Sequence, residues 1–371
     1  MDFTFTEEQD QLRDAMRGYL GRRNDFDSRT RTSRGEPGWS RDLWKALSED
    51  LGILGAALPE EAGGSGGGRV EQMIAMEEIG ASLLLEPYLE TAVLAAEIFV
   101  RADRNEPLSA IASGEVTYAL AWAESDNRYE ALPRSTHIQT GGDGNVRLTG
   151  SKQVVTAAPW ADRLIISALL DGQTVLVEVD PAAKGVSFSA YPTIDGRRAA
   201  DIAFDDVSLT EADIIAGADK GAQILEATLD VGAAAIGAEA VGIMRRMLDD
   251  TVDYTRQRRQ FGKAISEFQV LQHRMVDMYM ELELATSAVY RAFLSLDLEA
   301  ADRVQAVSSM KASVGNACRI VGQSAIQLHG GMGMTDELAV THYFRRATAI
   351  EQEFGDVGYH LERLDRLVRA S

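Results

Sequence analysis

Along residues 1 to about 114 the apolar positions fall at helical spacing. Leu12, Ala15, Met16, Tyr19 and Leu20 repeat by threes and fours behind Thr6 and Gln9, a capping-box start. A second helix is predicted around Trp44 to Leu51, closed by Gly52, and a third from about Val70 to Leu84. From about 115 to 215 the period changes. Short apolar runs at Tyr118 to Trp122, Leu164 to Ser167, Val175 to Val179 and Ile202 to Phe204 lie between turn signals such as Gly141-Gly142-Asp143-Gly144 and Asp171-Gly172. That pattern predicts antiparallel strands in a small sheet or barrel. From about 219 helical spacing returns, and Leu271, Met275, Met278, Leu282, Ala285 and Val289 mark a bundle core. The expected fold is α+β, with an N-terminal helical domain (1–114), a middle β domain (115–215) and a C-terminal helical bundle (216–371).

Composition narrows the function. The 371 residues form an ordinary soluble balance, 45% hydrophobic and 25% charged. A net charge of −20, with no basic run longer than a pair such as Arg245-Arg246, excludes nucleic acid and anionic bilayers as expected partners. The acidic start and the want of an apolar run near the roughly 20 residues a bilayer needs predict a cytoplasmic protein. The single cysteine, Cys318, falls on an apolar helical stripe and reads as a core thiol. The five histidines show no ligand spacing, so no metal is expected.

Three segments carry candidate chemistry. Arg256-Gln257-Arg258-Arg259-Gln260-Phe261-Gly262-Lys263 concentrates arginines in an acidic chain, either an anion site or the charged end of a helix capped by Gly262. Gln327-Leu328-His329-Gly330-Gly331-Met332-Gly333 has glycines that would admit a ligand or turn between helices. In the run Gly232 to Gly242, small residues permit close packing against a neighbour or a flat ring, and Glu239 is the only charge. Buried, it could act as a base; paired with an arginine, it could not.

Together these segments resemble the acyl-CoA dehydrogenase family over nearly the whole chain. Thr6-Glu7-Glu8-Gln9, Leu58-Pro59-Glu60-Glu61-Ala62-Gly63-Gly64, Gly150-Ser151-Lys152 with Val155-Thr156, Arg258 to Gly262 and Gln327 to Gly333 follow one another in the family's order. The resemblance implies the same three-domain arrangement with a four-helix bundle, FAD as cofactor, an acyl-CoA substrate and an electron-transfer flavoprotein as electron acceptor. It also implies that Thr156 contacts the flavin ring, and that Arg258, Phe261, Gln327, Gly330 and Gly331 hold the diphosphate and adenine side of a neighbour's FAD.

The departures from the family pattern are as informative. Phe354 stands where the usual catalytic glutamate would be, and Gly232 and Ala233 occupy the alternative position on the first bundle helix. The loop Ala123-Glu124-Ser125-Asp126-Asn127-Arg128-Tyr129-Glu130 lacks the family's glycines. As a set, these changes resemble the small subunits of heteromeric acyl-CoA dehydrogenases of the pimeloyl-CoA type, which complete the FAD site of a larger, base-carrying partner in an α2β2 assembly. A homo-oligomer with a displaced base (Glu239, or less readily Glu353 or Asp356), a flavin-free structural subunit and a flavin monooxygenase stay open. Arg197-Arg198 could face a dicarboxylate tail or form a solvated turn.

Overall fold

The computed structural model describes residues 5–140 and 146–370; the turn signal at Gly141 to Gly144 lies outside them. Helices come first: α1 (Glu7–Arg23), α2 (Phe26–Arg34), α3 (Arg41–Glu49) and α4 (Arg69–Ser82). The capping box opening α1 forms as expected, with Thr6 Oγ1 accepting from Gln9 N and Gln9 Oε1 from Thr6 N. A π-helical stretch, Leu89–Ala95, runs into α5 (Ala96–Arg101), and α6 (Glu106–Ala112) follows.

Eight strands succeed them: β1 (Tyr118–Ala121), β2 (His137–Thr140), β3 (Val146–Thr156), β4 (Arg163–Leu170), β5 (Gln173–Val179), β6 (Val186–Pro192), β7 (Arg198–Leu209) and β8 (Ile214–Ala216). They form one sheet in the order β6-β7-β3-β2-β4-β5-β8, with β1 also on β4. Most neighbours are antiparallel, but β1 and β2 both run parallel to β4, which corrects the purely antiparallel expectation. The chain passes through β2 and β3 between β1 and β4, a crossover long enough for parallel pairing. Leu148, Ile166, Val177, Ile202 and Phe204 fill the core beneath the sheet.

The helix α7 (Gly221–Gln257) is long and apolar enough to cross a membrane, a length the sequence pattern understates; 94% of its apolar window is buried, so it is a core helix. A two-stranded hairpin, β9 (Arg259–Gln260) and β10 (Lys263–Ala264), leads to α8 (Gln269–Ser295), α9 (Ala300–His329), α10 (Ala339–Gln352) and α11 (Val357–Ala370). Compactness groups the chain into two units, neither of which is a single sequence zone. A helical unit contains 1–30, 69–84 and 233–371, and a β-containing unit contains 31–68 and 85–232.

In the helical unit α4 and α7 cross so closely that neither Gly80 nor Gly242 has room for a Cβ. A Cβ on Gly80 would stand 2.0 Å from Glu239 O, and one on Gly242 would stand 1.9 Å from Glu77 O. The small residues of α7 therefore serve helix packing here, one of the two uses their sequence permitted.

Candidate functional site

The arginine segment is not the helix cap that its Gly262 suggested. The helix stops at Gln257, and Arg258 to Ala264 turn back as the β9–β10 hairpin, paired through Lys263 with Gln260 and Ala264 with Arg259. Its two-residue turn needs positive φ at both central positions, which Gly262 (φ 81) supplies freely and Phe261 (φ 55) adopts with strain. The hairpin thrusts the Phe261 ring outward, 90% exposed, edge-on to Phe268 at 6.1 Å. The Lys263 ammonium lies 4.3 Å from the centre of the Phe268 ring.

Arg258 is exposed, and its guanidinium has no partner among the described residues. One turn earlier on α7, Tyr254 accepts the Arg258 N–H on its carbonyl. The Tyr254 ring stacks on His329 at 4.4 Å, and its hydroxyl donates to the His329 carbonyl at 3.3 Å. This contact joins two segments 75 residues apart, so the structure brings Arg258 and the Gln327–Gly333 segment to one end of the helical unit. Gln327, Gly330 and Gly331 are exposed there, and a Cβ at either glycine would meet nothing within 4 Å. Tyr254 was legible only as a helical residue one turn before Arg258; nothing in the sequence paired it with His329.

The carboxylates near the family's base positions are all engaged. Both oxygens of Glu239 accept from Arg346, Nε to Oε1 at 2.7 Å and Nη2 to Oε2 at 2.8 Å, and both side chains are buried. The same guanidinium reaches Glu353 at 2.5 and 3.1 Å. Asp356 caps α11, accepting from Tyr359 N on Oδ1. Phe354 sits in the loop between α10 and α11 with φ 55, and its carbonyl accepts from His360 Nε2 at 3.0 Å. Gly232 and Ala233 are buried in α7 and carry no acid. Burial pushes the Cys318 thiol up to about 12, so it is an inert core group. Among the described residues no three His, Cys, Asp or Glu side chains are placed to hold a metal ion.

In the β-containing unit, Thr156 ends β3 half-buried, just past a bulge between Lys152 and Val155. That bulge leaves Val154 at φ 50 and 61% exposed. For a β-branched residue this is a strained backbone, held by Asp201, whose Oδ1 accepts the Val154 N–H at 2.9 Å.

The loop that lacks the family's glycines folds around Glu124 instead. This carboxylate accepts from the backbone N–H groups of Arg134, Ser135 and Thr136 and from Lys152 Nζ at 2.8 Å. Burial alone would raise its pKa, but Lys152 and the backbone donors outweigh that and hold it at about 2. Burial brings Lys152 down to about 8 despite its partner. Arg197 and Arg198 are used internally: Arg197 is buried with Asp195 at 4.0 Å, and Arg198 Nη2 donates to Gly35 O at 3.1 Å.

In the helical unit the structure thus shows an exposed guanidinium with no partner among the described residues, open glycine backbone and a projecting aromatic ring, groups whose chemistry suits an anion such as a phosphate. The comparisons name the class. The chain matches "Acyl-CoA dehydrogenase, N-terminal domain" over residues 6–101 and "Acyl-CoA dehydrogenase, C-terminal domain" over residues 219–368. It is 29% identical to the probable acyl-CoA dehydrogenase YngJ of Bacillus subtilis, over 100% of this chain and 99% of that one. It is 31% identical to the mitochondrial isovaleryl-CoA dehydrogenase of Arabidopsis thaliana, over 84% of this chain and 78% of that one. Among solved structures, the Tcur3481–Tcur3483 steroid ACAD superposes with a TM-score of 0.89 at 27% identity, covering 98% of each chain. The chain belongs to the acyl-CoA dehydrogenase family and is an oxidoreductase of the CH–CH class. The fold of that family, helical, then β, then helical, is the fold found here.

Proposed function

We propose that this chain is the base-lacking small subunit of a heteromeric, FAD-dependent acyl-CoA dehydrogenase. The observation that carries the reading is the state of its carboxylates. Both family base positions hold uncharged residues, Gly232 and Phe354, while Glu239, Glu353 and Asp356 are each bound within the chain. A base must be free to take a proton from substrate, and a carboxylate gripped on both oxygens by a guanidinium is not.

The residues present fit FAD. Arg258 offers an unneutralised cation for the diphosphate, Gln327 an amide for the nucleotide, and Gly330 and Gly331 an open backbone along which it can lie. Phe261 supplies an apolar face to the same FAD, which would be a neighbouring subunit's, while Thr156 in the β-containing unit would separately offer a hydroxyl to a flavin edge. When bound, FAD would accept the hydride in acyl-CoA desaturation. This chain's own part is to bind and orient; the proton would leave to a base on the larger subunit, and the electrons to an electron-transfer flavoprotein.

A partner of the same fold also has a surface to cover. Val276, Met280 and Leu284 repeat by fours along α8, each more than half exposed, with Tyr279 beside them. A cytoplasmic setting belongs to the same reading, supported by the burial of α7 within the fold.

The test is the visible spectrum of the purified chain, alone and with its larger subunit, before and after anaerobic addition of acyl-CoAs. Bleaching of the flavin band only in the presence of the larger subunit is the expected result. Bleaching by the chain alone would sink the reading and make it a self-sufficient enzyme.

A further inference from the structure

The face that Thr156 takes is set by one extra residue in β3. On β7 the side chains of Ala200 and Ile202 enter the core beneath the sheet, so Ala199 and Asp201 take the opposite face. On β3, Val155 lies opposite Ala200 and joins the same core, while Thr156 lies opposite Ala199. Lys152, four residues before Thr156, is fully buried opposite Ile202. In a regular strand residues four apart share a face. Here Gln153 and Val154 together stand against Asp201 alone, and this bulge turns Val155 inward and Thr156 outward. Closing the strand up by one residue would send the Thr156 hydroxyl to the core side.

The bulge is strained. Val154 (φ 50) and Ala157 (φ 61) are both left-handed, so Thr156 is bracketed by two residues in a conformation that favours glycine. Ala157 is tied to β7 by its N–H, which donates to Arg198 O at 3.0 Å. Gln153 N–H donates to Ala123 O at 2.9 Å. The N–H of Val154 goes instead to a side chain, Asp201 Oδ1.

That carboxylate oxygen is itself held. It also accepts from the Tyr191 hydroxyl on β6 at 2.8 Å. Burial, and after it Asp201, push the Tyr191 hydroxyl up to about 12, so it stays a donor. Tyr191 lies opposite Ala199, which in turn faces Thr156, so the three form one row across β6, β7 and β3. Asp201 stands beside that row on the same face and joins its two outer strands.

We propose that Asp201, steadied by Tyr191, is a positioning residue for the flavin: its grip on the Val154 N–H fixes the bulge that presents the Thr156 hydroxyl to the flavin edge. The inference rests on the flavin reading of Thr156 and adds to it two residues that act through that hydroxyl.

The experiment uses the purified assembly with FAD bound and reads the position of the flavin visible band beside FAD affinity and Tm. Thr156→Ala should move the band and weaken FAD about fivefold, the worth of one hydrogen bond. Asp201→Ala should reproduce both changes, and the double variant should add nothing further, because Asp201 acts through Thr156. Asp201→Asn keeps an oxygen for the Val154 N–H and should match the parent. Val154→Gly adopts φ 50 without strain and should restore the parental band in the Asp201→Ala background. A lowered Tm in Asp201→Ala with a parental band would mean that Asp201 only braces the sheet, and overturns the proposal. So does a double variant whose shift exceeds that of either single one. If Thr156→Ala itself leaves the band unmoved, the flavin contact at Thr156 is wrong and the positioning role falls with it. If Thr156→Ala moves the band and Asp201→Ala does not, the positioning role alone falls. Should Asp201→Ala not fold, Tyr191→Phe decides the matter: a partial shift in the direction of Thr156→Ala supports the proposal, and a parental band overturns it.

Discussion

Arg346 and Arg258 lie in the same helical unit and are used in opposite ways. Arg346 is buried and gives hydrogen bonds to both oxygens of Glu239 and of Glu353. Arg258 is exposed, and its guanidinium has no partner among the described residues. A charge out of water must be answered from within the fold, whereas one at the surface can be kept for a ligand. The contrast teaches where to look in this chain. Glu239, the conspicuous lone charge of its apolar helix, is part of the frame, and the residues suited to chemistry are the unanswered ones.

The largest expected effect comes from breaking the buried pair. Arg346→Met strands Glu239 in the core and should lower unfolding free energy by about 3–5 kcal/mol, read from urea denaturation. Glu239→Gln should also destabilise, leaving flavin affinity unchanged. A Glu239→Gln protein of parental stability but lost turnover would reverse the comparison.

Arg258→Ala should do the opposite. Stability should stay within about 0.5 kcal/mol, while FAD affinity of the assembled complex falls roughly 10- to 100-fold, the value of a charge-assisted hydrogen bond. Flavin fluorescence titration beside a melting curve reads both quantities.

Proton linkage separates the two units by sign. In the helical unit, burial first, then Lys311 and Arg363, push His360 down to about 3 from 6.5. The unfolded chain therefore takes up this proton before the native one, and stability declines as pH drops below about 6.5, by up to about 1.4 kcal/mol per unit. In the β-containing unit, Glu86 is buried with Oε1 accepting from Ser40 N at 3.0 Å and Oε2 without a partner among the described residues. Burial raises it from 4.5 to about 7. Here the native state holds the proton longer, so its contribution is complete below pH 4.5 and is lost as pH rises towards 7. Denaturation across pH should show Glu86→Gln removing the loss on the neutral side and leaving the acid side untouched.

The smallest effect belongs to Gly331→Ala. Its Cβ would meet nothing within 4 Å, so stability should not change, while FAD binding should weaken severalfold by crowding; the same titration reads it.

Much of the architecture was legible because the apolar period changes from helical to alternating and back. What was not legible depended on distant partners. The parallel alignment of β1 and β2 on β4 leaves no trace in alternation, which says which face a residue takes and nothing of its neighbour. The capping reading of Gly262 failed because positive φ serves a helix end and a hairpin equally. The loop around Glu124 looked merely deprived of glycines, and only Lys152, 28 residues on, shows what organises it. Glu239 and Arg346 lie 107 residues apart, so the sequence left open whether the acid was a base or a strut. Arg258, Gln327 and the open glycines stand out from local motifs alone, and their exposure in the structure depends little on distant partners.

The crossing of α4 and α7 carries a consequence for how this chain can vary. Gly80 and Gly242 each face a backbone carbonyl at a distance no side chain can share, whereas Gly21 and Gly331 face open space. In a saturation library selected for soluble protein, the first two positions should return glycine alone and the other two nearly every amino acid. The chain's 33 glycines therefore do not form one class. Some are fixed points that hereditary change must go around, and others are open ground on which new specificity can be written without disturbing the fold.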